Sequence, residues 1–103
     1  MFHLYPRFAA DGSAHTHLAR QLLRAATAIG ANLEEGAVAL SKRDMAAKFV
    51  VALREAREAN YWARLGSTDP RWTDRPGPIV QETHEFIAML TAAVKKLRSD
   101  GGQ

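Results

Sequence analysis

The sequence predicts an all-α protein, an antiparallel up-down helical bundle with three main helices. Apolar residues recur at spacings of three and four through three long stretches, the period of a helix buried on one face. Nothing alternates with the period of two that a half-buried strand would show. The second of these stretches, Lys42 to Leu65, contains neither glycine nor proline, while both gather in the segment that follows it.

Composition narrows the class further. A chain of 103 residues fits one domain, and its modest core would gain from self-association. Hydrophobic residues make up 47% and charged residues 24%, an ordinary globular balance. The absence of cysteine excludes a disulfide framework, a thiolate metal site and a thiol nucleophile. No apolar run approaches the roughly 20 residues of a membrane span. The N-terminus lacks a basic region followed by an apolar core, so a cytoplasmic protein with no membrane partner is expected. The formal net charge of +3 permits a nucleic-acid partner without requiring one.

The elements follow in order within one domain spanning 1–103. Residues 1–12 have no helical period and carry Phe2, Leu4, Tyr5 and Phe8 beside Pro6 and Gly12. They read as an irregular arm, either docked through those side chains or frayed. The first helix is expected at about 13–38, with Ser13 as N-cap. Leu18, Leu22, Ala25, Ile29 and Leu33 form its apolar face, widened by Ala19, Leu23, Ala26 and Gly30. Gly36 is a natural stop, because glycine takes the left-handed conformation, and Ala37 to Leu40 either extend the helix or form the connection.

Ser41 and Asp44 resemble a capping box. They open a second helix at about 42–65, striped by Met45, Phe49, Ala52, Ala56, Ala59 and Ala63. Ser67 to Gly77 reads as a loop pinned by Trp72. The third helix is expected at about 78–98, opening on Pro78 and striped by Val80, Ile87, Leu90, Val94 and Leu97. Residues 100–103 are expected to be disordered. Short connections make neighbouring helices antiparallel, so the chain runs up, down, up.

Gln21 to Gly36, with its Ala28-Ile29-Gly30-Ala31-Asn32-Leu33-Glu34-Glu35-Gly36 core, resembles the signature of the bacterial four helix bundle protein family. That family is also labelled 23S rRNA intervening-sequence protein. Phe49 to Leu65 is similar to its next helix and Glu82 to Lys95 to its last, so the resemblance covers about residues 17–97. It implies a small antiparallel bundle that assembles into a ring, often a pentamer, in a family for which no enzymatic activity is established, and no enzyme is expected. It also implies RNA association, because members can be encoded within ribosomal RNA gene insertions. Related accessory proteins of diversity-generating retroelements bind nucleic acid and a reverse transcriptase. Members carry a full helix before the glutamine-arginine segment, where this chain has about 12 irregular residues. A truncated start or a three-helix variant is expected, exposing an apolar groove that a homo-oligomer would cover.

Two sets of residues are candidates for a site. The first is Arg24, Asn32, Glu35, Glu55 and Glu58, which at helical spacing can pair across helices or along one, as Arg54 can with Glu58, and so set register. By resemblance these are the family's own polar positions. Di-iron bundles also gather carboxylates on several helices, but they need a Glu-x-x-His motif, and here only Gln81 precedes His84 at that spacing. No metal, cofactor or catalytic residue is therefore assigned, and His3, His15 and His17 form no pair.

The second set lies at one pole, where an up-down-up chain gathers Lys42, Arg43 and Lys48 with Lys95, Lys96 and Arg98 against Asp44 and Asp100. The opposite pole mixes Arg64, Arg71 and Arg75 with Asp69 and Asp74. The first pole can contact phosphates, or its cations can merely complement helix ends. Tyr61, Trp62 and Arg64 can stack on bases or pack in the bundle. Three functional readings stay open: an oligomeric scaffold for RNA or a nucleic-acid-handling partner, a small metal-binding or catalytic bundle, and a pure protein–protein adaptor.

Overall fold

The computed structural model describes residues 14–68 and 76–100. The described residues form three α-helices: α1, Ala14–Ala37; α2, Lys42–Gly66; and α3, Pro76–Asp100. No strand occurs among them, and the fold is the all-α bundle that the periodicity predicts. The expected arm 1–12, most of the second loop with Trp72, and residues 101–103 lie outside the described residues. So do His3, Asp69, Arg71, Asp74 and Arg75.

α2 is the central helix. It packs on both α1 and α3, which approach each other only marginally. Its buried face is almost all alanine: Ala52, Ala56, Ala59 and Ala63 are fully inaccessible to solvent. Methyl-sized side chains let the neighbouring backbones come close, so cohesion on this face is dense van der Waals contact rather than bulk. Against it α1 sets Leu18, Ala19, Leu22, Ala25 and Ile29, and α3 sets Ile79. Leu90 and Val94 continue the buried face of α3. Leu22 and Leu90, with Thr83, are the largest fully buried side chains, each leucine contributing roughly 1.5–3 kcal/mol.

The first connection is tight. Ala39 N–H reaches Gly36 O at 3.2 Å, and Ser41, in extended conformation, accepts the Asp44 N–H on Oγ at 3.0 Å. That is the serine half of the expected capping box. α2 closes on hydroxyls: Ser67 Oγ donates to Arg64 O at 2.6 Å and Thr68 Oγ1 to Leu65 O at 2.7 Å.

Several expectations need correcting. Gly36 does not leave the helix in the left-handed conformation; it is helical, and α1 runs one residue further. Its lack of a side chain serves close approach instead. A Cβ there would meet Phe49 Cε1 at 2.5 Å. Gly30, expected on the apolar face, is exposed with open space around its Cα. α3 opens at Pro76, two residues before Pro78, because proline is compatible with a helix's first turn. Ile79, absent from the expected stripe, is buried, whereas Val80 and Ile87 are only half-buried.

Candidate nucleic-acid interface

The two flanks of α2 carry different chemistry. On the α1 side the seam is charged. Arg24 of α1 reaches across to α2, where its Nη2 donates to Glu55 Oε1 at 3.1 Å and to Glu58 Oε1. Its Nε donates to Gln21 Oε1 at 3.3 Å, and Trp62 Nε1 donates to Glu58 Oε1 at 3.2 Å. The hydrogen bond from Arg24, then that from Trp62, holds the Glu58 carboxyl below its usual range. Glu58, then Glu55, pushes Arg24 further up, so it stays charged. Nearer the α1–α2 turn, Lys48 Nζ meets Glu35 Oε2 at 2.9 Å.

Four of the five predicted register residues are therefore brought together across this seam, as Arg24 with Glu55 and Glu58, and Glu35 with Lys48. Asn32 is not. Its Nδ2 donates to Ala28 O at 2.8 Å, inside its own helix, because an amide four residues along can reach that carbonyl without crossing. Arg54 does not pair with Glu58 either: that carboxylate already takes donors from Arg24 and Trp62.

On the α3 side the inner seam is neutral. Asn60 Nδ2 donates to Thr83 Oγ1 at 3.0 Å and to Val80 O at 3.4 Å, and Asn60 Oδ1 accepts from Arg64 Nε at 2.8 Å. The Thr83 hydroxyl donates back to Ile79 O at 2.9 Å. Both residues are buried, so these bonds satisfy groups that water cannot reach. The sequence reading missed Asn60. Its signal was an amide at a position flanked by the alanine stripe.

The cationic pole forms, and the fold sorts its members. Lys42 Nζ lies 3.9 Å from Asp100 Oδ2, and Lys48 is held by Glu35. Arg43, Lys95, Lys96 and Arg98 are exposed and make no ion pair among the described residues. Arg43 and Arg98 line one cleft of about 180 Å³ with Ala46 and Ala47.

A larger cationic feature runs down α2. Arg43, Ala47, Val50, Arg54, Arg57, Tyr61 and Arg64 follow one another at alternating steps of four and three residues, which places them on one face. All are exposed except half-buried Val50. The four arginines span about 30 Å of helix. No carboxylate interrupts this stripe, and Arg54 and Arg57 make no ion pair among the described residues. The Arg64 guanidinium lies 6.0 Å from the Tyr61 ring centroid. Tyr61 in turn meets Trp62 edge-on at 5.2 Å, so of the expected aromatic–basic cluster Tyr61 and Arg64 face outward and Trp62 packs inward. The spacing of these arginines was present in the sequence, where attention to the helix ends alone passes over it.

The remaining features are an exposed dent of about 270 Å³ lined by Glu82, Glu85, Phe86 and Met89, and His84, which is exposed. Among the described residues no three His, Asp or Glu side chains are grouped to hold a metal ion, and no helix is long and apolar enough to cross a membrane.

The described helices thus form a small antiparallel bundle whose central helix is tied by charge on one flank and carries arginines on its outer face. The family comparison gives that class a name. The model of the 23S rRNA-intervening sequence protein family matches residues 3–92, and the chain belongs to that family. The match starts ahead of residue 17, where the resemblance was read, and so takes in the expected arm. No curated protein and no solved structure matches the chain.

Proposed function

We propose that this protein is a non-enzymatic, cytoplasmic helical-bundle scaffold that associates with RNA and assembles with copies of itself. The observation that carries the reading is the outer face of α2: four exposed arginines over about 30 Å with no carboxylate among them. Such a face meets a phosphate backbone through charge and reads no sequence by itself. Membership of a family described by ribosomal RNA insertions supports RNA as the polyanion. Arg43, Lys95, Lys96 and Arg98 extend the same field to the pole, while Lys42 and Lys48 contribute less because Asp100 and Glu35 neutralise them.

Self-assembly rests on surfaces the described helices leave unpartnered. Val38 is 77% exposed and Leu40 fully so at the first turn, and Tyr61, Leu65 and Met89 are also exposed. Among the described residues α1 and α3 approach only marginally, which leaves a flank of each without a described helix against it. A ring of the pentameric kind would cover such flanks and repeat the arginine faces around one body.

Two measurements test this reading. Ultraviolet crosslinking and sequencing of RNA co-purified from the native host should recover RNA above a mock control. Filter binding with structured RNA and duplex DNA should show affinity falling steeply as salt rises. No binding at low salt would overturn the RNA reading and leave a protein adaptor. Static light scattering should give a multiple of 11.3 kDa, and a monomer at micromolar concentration would overturn the assembly.

A further inference from the structure

Arg43 lies in the first turn of α2 and Arg98 in the last turn of α3, far apart in sequence. The antiparallel fold brings both to one cleft of about 180 Å³, whose other described lining is the two short side chains Ala46 and Ala47. The two alanines bring no polar group to that lining. Beside the cleft, Lys42 bridges the same two helices to Asp100 at 3.9 Å, so the nearest carboxylate of α3 already has a cation. Asp44 follows Arg43 on the neighbouring face of α2.

Guanidinium groups are planar forks that bind oxyanions through paired hydrogen bonds. Two forks carried by two different helices suit a tetrahedral anion, which offers oxygens in several directions, better than a carboxylate with its single planar edge. We propose that the Arg43–Arg98 cleft seats one phosphate group. In RNA bound along α2 it is a backbone phosphate, held at the head of the arginine stripe so that it sets the register of the strand. This deepens, and for RNA rests on, the function proposed above.

Arginine-to-lysine exchange separates a seat from a diffuse field, because it keeps the charge and removes the fork. R43K and R98K should each weaken binding of a labelled RNA hairpin roughly tenfold or more, about the loss of one charge-assisted hydrogen bond, with the salt slope unchanged. R54K with R57K, on the open face, keeps the diffuse charge and should weaken binding less than either exchange in the cleft. Inorganic phosphate, titrated into protein labelled on arginine nitrogen, should shift the side-chain Nε resonances of Arg43 and Arg98 ahead of those of Arg54 and Arg57. All four residues are exposed, and circular dichroism checks that each variant stays folded. RNA affinity indifferent to R43K and R98K would overturn the seat while leaving RNA association intact. Phosphate shifts at Arg43 and Arg98 in a protein that binds no RNA would keep the seat for free phosphate and overturn the RNA reading. Neither response would overturn both.

Discussion

The two flanks of α2 put the same kinds of side chain to opposite uses. Facing α1, Glu55 and Glu58 meet Arg24, and Lys48 meets Glu35, so the charge is consumed in holding helices together. Facing α3, a buried neutral amide and hydroxyl hold the helices, and the arginines on the outer face are left without carboxylates. The difference is physical economy of charge. A seam closed by Asn60 and Thr83 needs no ion pair, so its flanking cations remain available to a ligand. A seam closed by ion pairs is nearly neutral to anything outside it.

The comparison can be broken at the neutral seam first. Asn60→Ala strips Thr83 and Arg64 of a partner inside the bundle and should cost roughly 1–3 kcal/mol, read as a lower urea midpoint with an unchanged slope. If stability is unaffected, α2 and α3 are held by apolar contact alone. The next effect sharpens the outer face. R54Q with R57Q should reduce RNA affinity by about tenfold and flatten the salt slope by roughly 1.4–1.8, two phosphate contacts' worth. The same measurement on R24Q should leave the slope as it is, since Arg24 is engaged by Glu55 and Glu58.

Gly30 tests which α1 surface is free. Its surroundings are open, so Gly30→Ala should stabilise by about 0.5–1 kcal/mol if nothing docks there. If the substitution instead dissociates the assembly seen by light scattering, that surface lies against a second copy.

The smallest effect is the charged seam itself. Glu58 is 39% and Arg24 47% exposed, so Glu58→Gln should cost only about 0.2–1 kcal/mol near neutral pH. The folded-state value of Glu58 is lowered, so this contribution is present above the ordinary carboxylate range. It is lost as pH falls below about 4.3 and through the lowered folded value. Thermal melts of parent and variant should converge there, and a gap that persists at pH 2–3 would place the effect in packing rather than charge.

Most of the fold was legible because helical period and helix length survive any arrangement of the helices. Leu18, Leu22, Ala25, Ile29, Leu90 and Val94 are buried where their spacing puts them. The capping serine was legible for the same reason, since a cap is decided within one turn. The polar site was legible only in part. Asn32 and Glu58 look alike as polar residues near small-residue faces, yet one bonds within its own helix and the other across to α1. Gly36 shows the limit from another side. Its position at a helix end suggests a left-handed cap, whereas the ring of Phe49, on the next helix, is what requires the missing side chain.

The sequence by itself determined which stretches are helical, which face of each is apolar, where the first turn falls and which family the chain resembles. These are properties of spacing and composition within a few turns, and they do not depend on what a helix packs against. Only the tertiary structure decided how the charges are shared out. It paired Lys42 with Asp100, and Lys48 with Glu35, and it brought Arg43 and Arg98 to the lining of one open cleft. The reason is distance. An ion pair forms or fails within about 4 Å, and residues more than fifty apart in sequence acquire such distances only when packing sets the stagger of one helix against another.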